Sequence, residues 1–144
     1  MTTDRTLRLL LRADGVFCIL LALPCLLASA WLAGFLLPGL ATVLTVPTDL
    51  ALFELGMVLA GYGALMLMLS MQGGVSPGFV AVTAAADAAW VFGTILLLAL
   101  AAPVFSGWGI VALAVVAADT GLLGVLKARS LRGVWQAEAG AAHV

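Results

Sequence analysis

Four carboxylates lie inside apolar stretches of this chain, one to a stretch: Asp14, Glu54, Asp87 and Asp119. An ionisable side chain inside hydrocarbon marks an ion path, a proton relay or a ligand counter-charge, because the fold must offset the energy of placing it there. An Asp at mid-span costs about 2.5–3.5 kcal/mol, and flanking Leu, Ile, Val and Phe return about 0.3–0.6 kcal/mol each, so insertion of all four stretches is feasible. The acids have three possible chemical states. They can be protonated, two close aspartates sharing one proton. They can be neutralised by a basic side chain, and Arg12 is long enough to reach Asp14. They can bind a cation, and an all-oxygen set without His or Cys favours a hard ion such as Mg²⁺, Mn²⁺ or Ca²⁺, the metal being open.

Spacing separates the acids by depth. Counted from the ends of their helices at about 1.5 Å per residue, Asp87 lies roughly 15 Å in, Asp119 roughly 12 Å and Asp14 roughly 10 Å, all from one side. Glu54 falls near the opposite mouth. The expected ion, proton or ligand site is therefore Asp87 with Asp119, assisted by Asp14. Around Asp87 a polar stripe of Thr83, Trp90 and Thr94 follows at helical spacing, while the neighbours of Asp119 (Val115, Val116, Leu122 and Leu123) offer no hydrogen bond, so its partner must come from another helix. The plainer alternative is that protonated aspartates hydrogen-bond helices to one another.

The elements that must position these residues follow from composition. The chain has 144 residues, 65% hydrophobic and 9% charged, with a mean hydropathy of +1.25. That leaves too little polar surface to cover a water-soluble globule. The expected fold is all-α: a polytopic membrane protein, a four-helix bundle forming one domain over 1–144, with spans at about 7–33, 50–71, 77–101 and 107–127. An extracytoplasmic interfacial loop over 34–49, punctuated by Pro38, Gly39 and Pro47, is too short to cross and return. Arg5, Arg8 and Arg12 precede the first span, and Lys127, Arg129 and Arg132 follow the fourth, with no Lys or Arg between. Read as topology markers, they predict both termini in the cytoplasm. The net charge of −1 gives no support for nucleic-acid binding.

Along the chain, the basic start, the run from Val16 to Leu27 and Ala28-Ser29-Ala30 have the outline of a cleaved signal. Asp14 and the apolar continuation past Trp31 argue instead for a retained first span, bent at Pro24. Thr48 or Asp49 is a candidate cap for the second helix, Ser76-Pro77 opens the third after the turn Gln72-Gly73-Gly74-Val75, Pro103 ends it, and Ser106 caps the fourth. Trp108 is an interfacial anchor, and the tail from Ser130, with Trp135, reads as an interfacial turn and a loose end. Two ladders of small residues, Gly56-Ala60-Ala64 and Ala81-Ala85-Ala89-Gly93, suit close helix packing, within the chain before between chains. Cys18 and Cys25 share a helix face about 10 Å apart along the axis, too far for a disulfide, and read as packing residues. His143 has no supporting ligand. No Ser–base pair, haem-type His pair, intramembrane Lys or phosphate loop is evident, and no cofactor is implied.

Leu9-Leu10-Leu11-Arg12-Ala13-Asp14-Gly15, Glu54-Leu55-Gly56, Gly61-Tyr62-Gly63 and Asp87-Ala88-Ala89-Trp90 resemble a broad group of small bacterial four-helix membrane proteins, loosely DoxX-like in size. The resemblance covers about residues 7–132 and implies the bacterial inner membrane, but brings no activity. In that group the third helix carries Asn-x-x-Trp where this chain has Asp87 and Trp90. Three functional expectations stand together. The first is an oligomeric carrier or channel-like protein coupled to protonation or cation binding at the aspartates. The second is a non-catalytic assembly subunit of a larger membrane complex. The third is a membrane enzyme acting on a lipid or quinone. The bilayer, a second copy or a larger complex are the expected partners.

Overall fold

The computed structural model describes residues 2–72 and 76–141, with side chains placed over 5–72 and 76–133. It is mostly helical. α1 runs Thr2–Leu27, α2 Ser29–Leu36, α3 Thr48–Ser70, α4 Pro77–Ala101 and α5 Gly107–Ala141. A two-residue-strand hairpin (β1 Thr42–Val43, β2 Val46–Pro47) precedes α3, and a 3₁₀ turn, Ala102–Val104, follows α4. Arg5–Leu27, Thr48–Ser70, Pro77–Val104 and Gly107–Gly133 are long and apolar enough to cross a membrane. Their surfaces agree with an apolar surrounding: Leu27, Phe92, Leu100 and Trp108 face outward, while Asp14, Thr83, Asp87, Thr94 and Lys127 are buried. Polar groups inside and hydrocarbon outside is the arrangement a bilayer demands.

The helices associate as two pairs. α1 packs on α3 and α4 on α5, and contact between α1 and α5 joins the pairs, whereas α3 and α4 make little direct contact. Glycine sets the α1–α3 crossing. A Cβ added to Gly63 would come within 2.7 Å of the Gly15 carbonyl oxygen, and one on Gly15 within 2.8 Å of that of Gly63. Gly56 lies equally close to Cys25. The seam on α3 is thus Gly56 with Gly63, seven residues apart, and only the first belongs to the expected ladder. Ala60 is half-buried and Ala64 exposed. On α4 the ladder mostly faces outward: Ala85, Ala89 and Gly93 are exposed, and only Ala81 packs, against Leu7, Val80 and Leu131.

Expected boundaries shift in the first and the fourth span. The first span ends at Leu27, not near 33, because the helix breaks at Ala28, four residues beyond Pro24. The eight-residue α2 then turns across the end of the bundle; at about 1.5 Å per residue it is far too short to span. Its last carbonyl, on Leu36, accepts from Ser106 N–H at 2.9 Å, and Gly39 N–H donates to Val104 at 3.3 Å. Gly109 has no side chain to block this closure: any Cβ there would strike the Leu36 carbonyl. The hairpin beyond α2 turns through Leu44 and Thr45, both at positive φ (47° and 80°), as a two-residue hairpin turn requires.

Helix ends follow their chemistry. Ser106 Oγ accepts from Gly109 N–H at 3.0 Å, the expected cap. Ser76 precedes Pro77 at the first turn of α4. Thr48, expected as a cap, lies inside α3, and its hydroxyl donates instead to the Leu40 carbonyl at 2.7 Å, tying the hairpin down. The fourth span does not stop at 127. Residues 128–141 are largely Ala, Leu, Arg, Gln and Glu without proline, strong helix formers that carry α5 on to Ala141. The expected loose tail from Ser130 is helix up to that point. His143 and the turn residues 73–75 lie outside the described residues.

Candidate functional site

α1, α4 and α5 bring Asp14, Asp87 and Lys127 to one point. The Lys127 ammonium is fully buried and donates to Asp14 Oδ2 at 2.5 Å and to Asp87 Oδ2 at 2.7 Å. Both acids are themselves buried, 3% and 5% exposed. One helical turn from Asp14, the Cys18 thiol contacts Asp14 Oδ1 at 3.8 Å. A charge this deep is tolerable only when paired and hydrogen-bonded, and charge-assisted bonds of this length are the strong kind. Gly124 makes room for the arrangement: a Cβ there would sit 3.0 Å from Asp87 Cβ.

This changes the expected site in two ways. Lys127, expected at the membrane boundary as a topology marker, lies within the apolar span Gly107–Gly133, level with Asp14 and Asp87, because α5 continues to Ala141. Asp119 is eight residues away on the same helix, about 12 Å along the axis, so it cannot share that level. It is half-buried, and no hydrogen bond or ion pair reaches it among the described residues. Arg12 does not neutralise Asp14. Its Nε donates to Ser70 Oγ at 3.4 Å, linking the start of α1 to the end of α3, and Ser70 donates to the Leu67 carbonyl. Glu54 is exposed on α3.

The stripe on α4 does face inward, yet its hydroxyls serve the helix rather than Asp87. Thr83 donates to the Val80 carbonyl at 3.0 Å and Thr94 to that of Trp90 at 2.9 Å. Trp90 is partly exposed and lines the interior. A signal for Lys127 was present in the sequence: Leu123, Lys127 and Leu131 recur at four-residue spacing on one helix face, and Leu131 is buried.

Beside the cluster lies a cavity of about 270 Å³ between the two helix pairs, bordered by Asp14, Cys18, Tyr62, Asp87, Trp90 and Thr120. The Tyr62 hydroxyl is buried there without a hydrogen-bond partner among the described residues. A second cavity of about 320 Å³ shares Leu21, Leu55, Leu59, Trp90 and Val116 with the first and extends beneath α2 to Phe35 and Leu36. On its other side Asp87 borders a groove between α4 and α5 at Gly121 and Gly124. Among the described residues no three His, Cys, Asp or Glu side chains converge as metal ligands would.

No protein-family model, curated protein or solved structure matches the chain. The likeness to the small four-helix proteins rests on the quoted residues alone.

Proposed function

We propose that the protein is an intramembrane carrier that exchanges a proton for a cation at the Asp14–Lys127–Asp87 cluster, with both termini on the cytoplasmic side of a bacterial inner membrane. The observation that carries this reading is the unequal charge beside a cavity. Two carboxylates face one ammonium, so the ionised cluster holds one negative charge in excess. In hydrocarbon that charge needs an offset, and either a proton or a bound cation supplies it. The two therefore compete for one site, which is the elementary requirement of exchange. Lys127 fixes the cluster: it holds the two acids together without being displaced, and the cavity-facing side of the carboxylates takes the exchanged species. Asp119 and Glu54 have no part in the exchange step. A single bundle of this size has little room for alternating access between repeats, so a homo-oligomer belongs to the proposal.

Proton release tests it. Purified protein in weakly buffered detergent is titrated with sodium, methylammonium and decylammonium. The expected result is release of protons, up to one per cation bound, from wild type and Asp119→Asn but not from Asp87→Asn. Absence of release with all three cations, or release unchanged in Asp87→Asn, overturns the reading.

A second reading, an assembly subunit without transport, is favoured by the complete burial of Lys127, since a sealed ion pair can serve as an adhesive between helices. It predicts that cations bind neither wild type nor variant, while removal of Lys127 disrupts the fold.

A further inference from the structure

Resting on the cation-exchange reading, we infer that the exchanged species is a single-chain amphiphile, a protonated amine carrying an unbranched apolar tail, which enters sideways from the bilayer. Three observations at different places converge on it.

The first is the character of the two cavities, which adjoin at shared lining residues. Polar groups are confined to one end: Asp14, Asp87, Tyr62, Thr120 and Cys18 border the first cavity. The second is bordered by Leu, Phe, Trp and other apolar residues that continue from the shared Leu55, Leu59 and Val116 to the underside of α2. A metal ion or methylammonium would use only the polar end. A phospholipid fits poorly, because its head would have to leave the interface for a point deep within the span. A small head on one long tail matches both ends. From Asp14 to Cys25, the extent of α1 along the two cavities, is about 16 Å at the helical rise, the length of an extended chain of about a dozen carbons.

The second is the Tyr62 hydroxyl. It is buried at the polar end with neither its proton nor its lone pairs engaged, and buried polar groups are normally satisfied. An ammonium head supplies a donor for the phenol's lone pairs. Its N–H groups donate to the phenol oxygen and to carboxylate oxygens of Asp14 and Asp87, while the phenol keeps its own proton.

The third is the route. α3 and α4 both line the first cavity, yet they make little contact with each other. At that seam Val58, 67% exposed, and Trp90, 37% exposed, form part of the wall. The cavity is thus reached from the side of the bundle, where a membrane-dissolved amphiphile is already concentrated and its tail already in hydrocarbon. The tail selects by fit and delivery, because bilayer and cavity are about equally apolar.

The test uses the full chain in lipid nanodiscs, with decylammonium as the probe and occupancy referred to its concentration in the bilayer phase, empty nanodiscs being subtracted. The expected result is saturable binding of one decylammonium per chain. Decanol, the same tail without the charge, binds about a hundredfold more weakly, and Tyr62→Phe weakens decylammonium about tenfold through loss of one charge-assisted bond. Octadecylammonium, too long for the cavity, binds at least about tenfold more weakly than decylammonium. Val116→Trp, which fills the junction between the cavities, abolishes binding while its elution profile stays that of wild type. Because the length series uses wild-type protein, it stands even if Val116→Trp fails to fold. Methylammonium separates this inference from the reading beneath it. If methylammonium saturates the site as well as decylammonium does and Asp87→Asn abolishes it, cation exchange stands and the amphiphile is refuted. If no amine binds saturably, the amphiphile is refuted, and cation exchange falls with it unless sodium releases protons from wild type.

Discussion

Substituting Lys127 by methionine removes the ammonium and keeps the side chain's length and apolar stem. In wild type that ammonium holds both Asp14 and Asp87 at hydrogen-bond distance with no exposure to the surroundings. Removing one member of a buried ion pair costs about 3–5 kcal/mol, because the partner is left charged and unpaired. Here two carboxylates are stranded rather than one, which places Lys127→Met at the upper end, about 5 kcal/mol. The cost lies in the stranded charges and not in a lost bond, so neutralising them restores stability. The triple variant Asp14→Asn, Lys127→Met, Asp87→Asn is expected within about 1–2 kcal/mol of wild type, since replacing a whole buried ionic group is often nearly neutral. Reversible SDS titration in mild detergent, followed by far-UV circular dichroism, measures all three proteins on one scale. A loss below about 1 kcal/mol for Lys127→Met, or a triple variant no better than the single one, would refute the claim that Lys127 is the counter-charge of both acids.

Three further outcomes follow from the geometry. Gly63→Ala is expected to lower stability by about 1–3 kcal/mol, because its Cβ would press on the Gly15 backbone, where no flexible side chain can yield; the same titration reads it, with exposed Gly61→Ala as the harmless control. Asp119→Asn should leave stability within about 0.5 kcal/mol of wild type, as expected where no partner is lost, and a loss above 2 kcal/mol would show a partner that the structure lacks. Tyr62→Phe should stabilise the ligand-free protein by about 1 kcal/mol, since it removes a buried hydroxyl that has no partner. An equal loss of stability would mean that the phenol is already satisfied.

The number of long helices and the inward placement of Asp14 and Asp87 were legible from apolar run length and helical spacing, signals that act over a few residues. Lys127 was not, for a specific reason. A basic residue next to Arg129 and Arg132 looks like a boundary marker, and only the helical continuation to Ala141, set by propensity beyond the apolar run, moves the boundary past it. The depth of Asp119 depends on the same boundary: with α5 extended, Asp119 lies about 12 Å from Lys127 along the helix, away from the cluster. The α3 seam misled differently. Gly56, Ala60 and Ala64 share a spacing that is common in Ala-rich helices, whereas Gly56 and Gly63 are picked out only by what α1 presents opposite them, the Gly15 backbone and Cys25. The α2 break illustrates a third limit: Pro24 signals a disturbance, but whether the chain bends or breaks depends on the docking of Leu36 against Ser106 and Gly109.

The separation of 113 positions between Asp14 and Lys127 has a meaning for biogenesis. A ribosome adding about 5–20 residues each second needs roughly 6–23 s to go from one to the other. Throughout that interval the nascent chain has released α1, and later α4, toward the membrane with acids that have no counter-charge. α5, made after the other four helices, brings the lysine that locks α1 in place. Assembly therefore waits for the synthesis of α5. A chain stalled before α5 carries two acids in its hydrophobic segments without the Lys127 counter-charge.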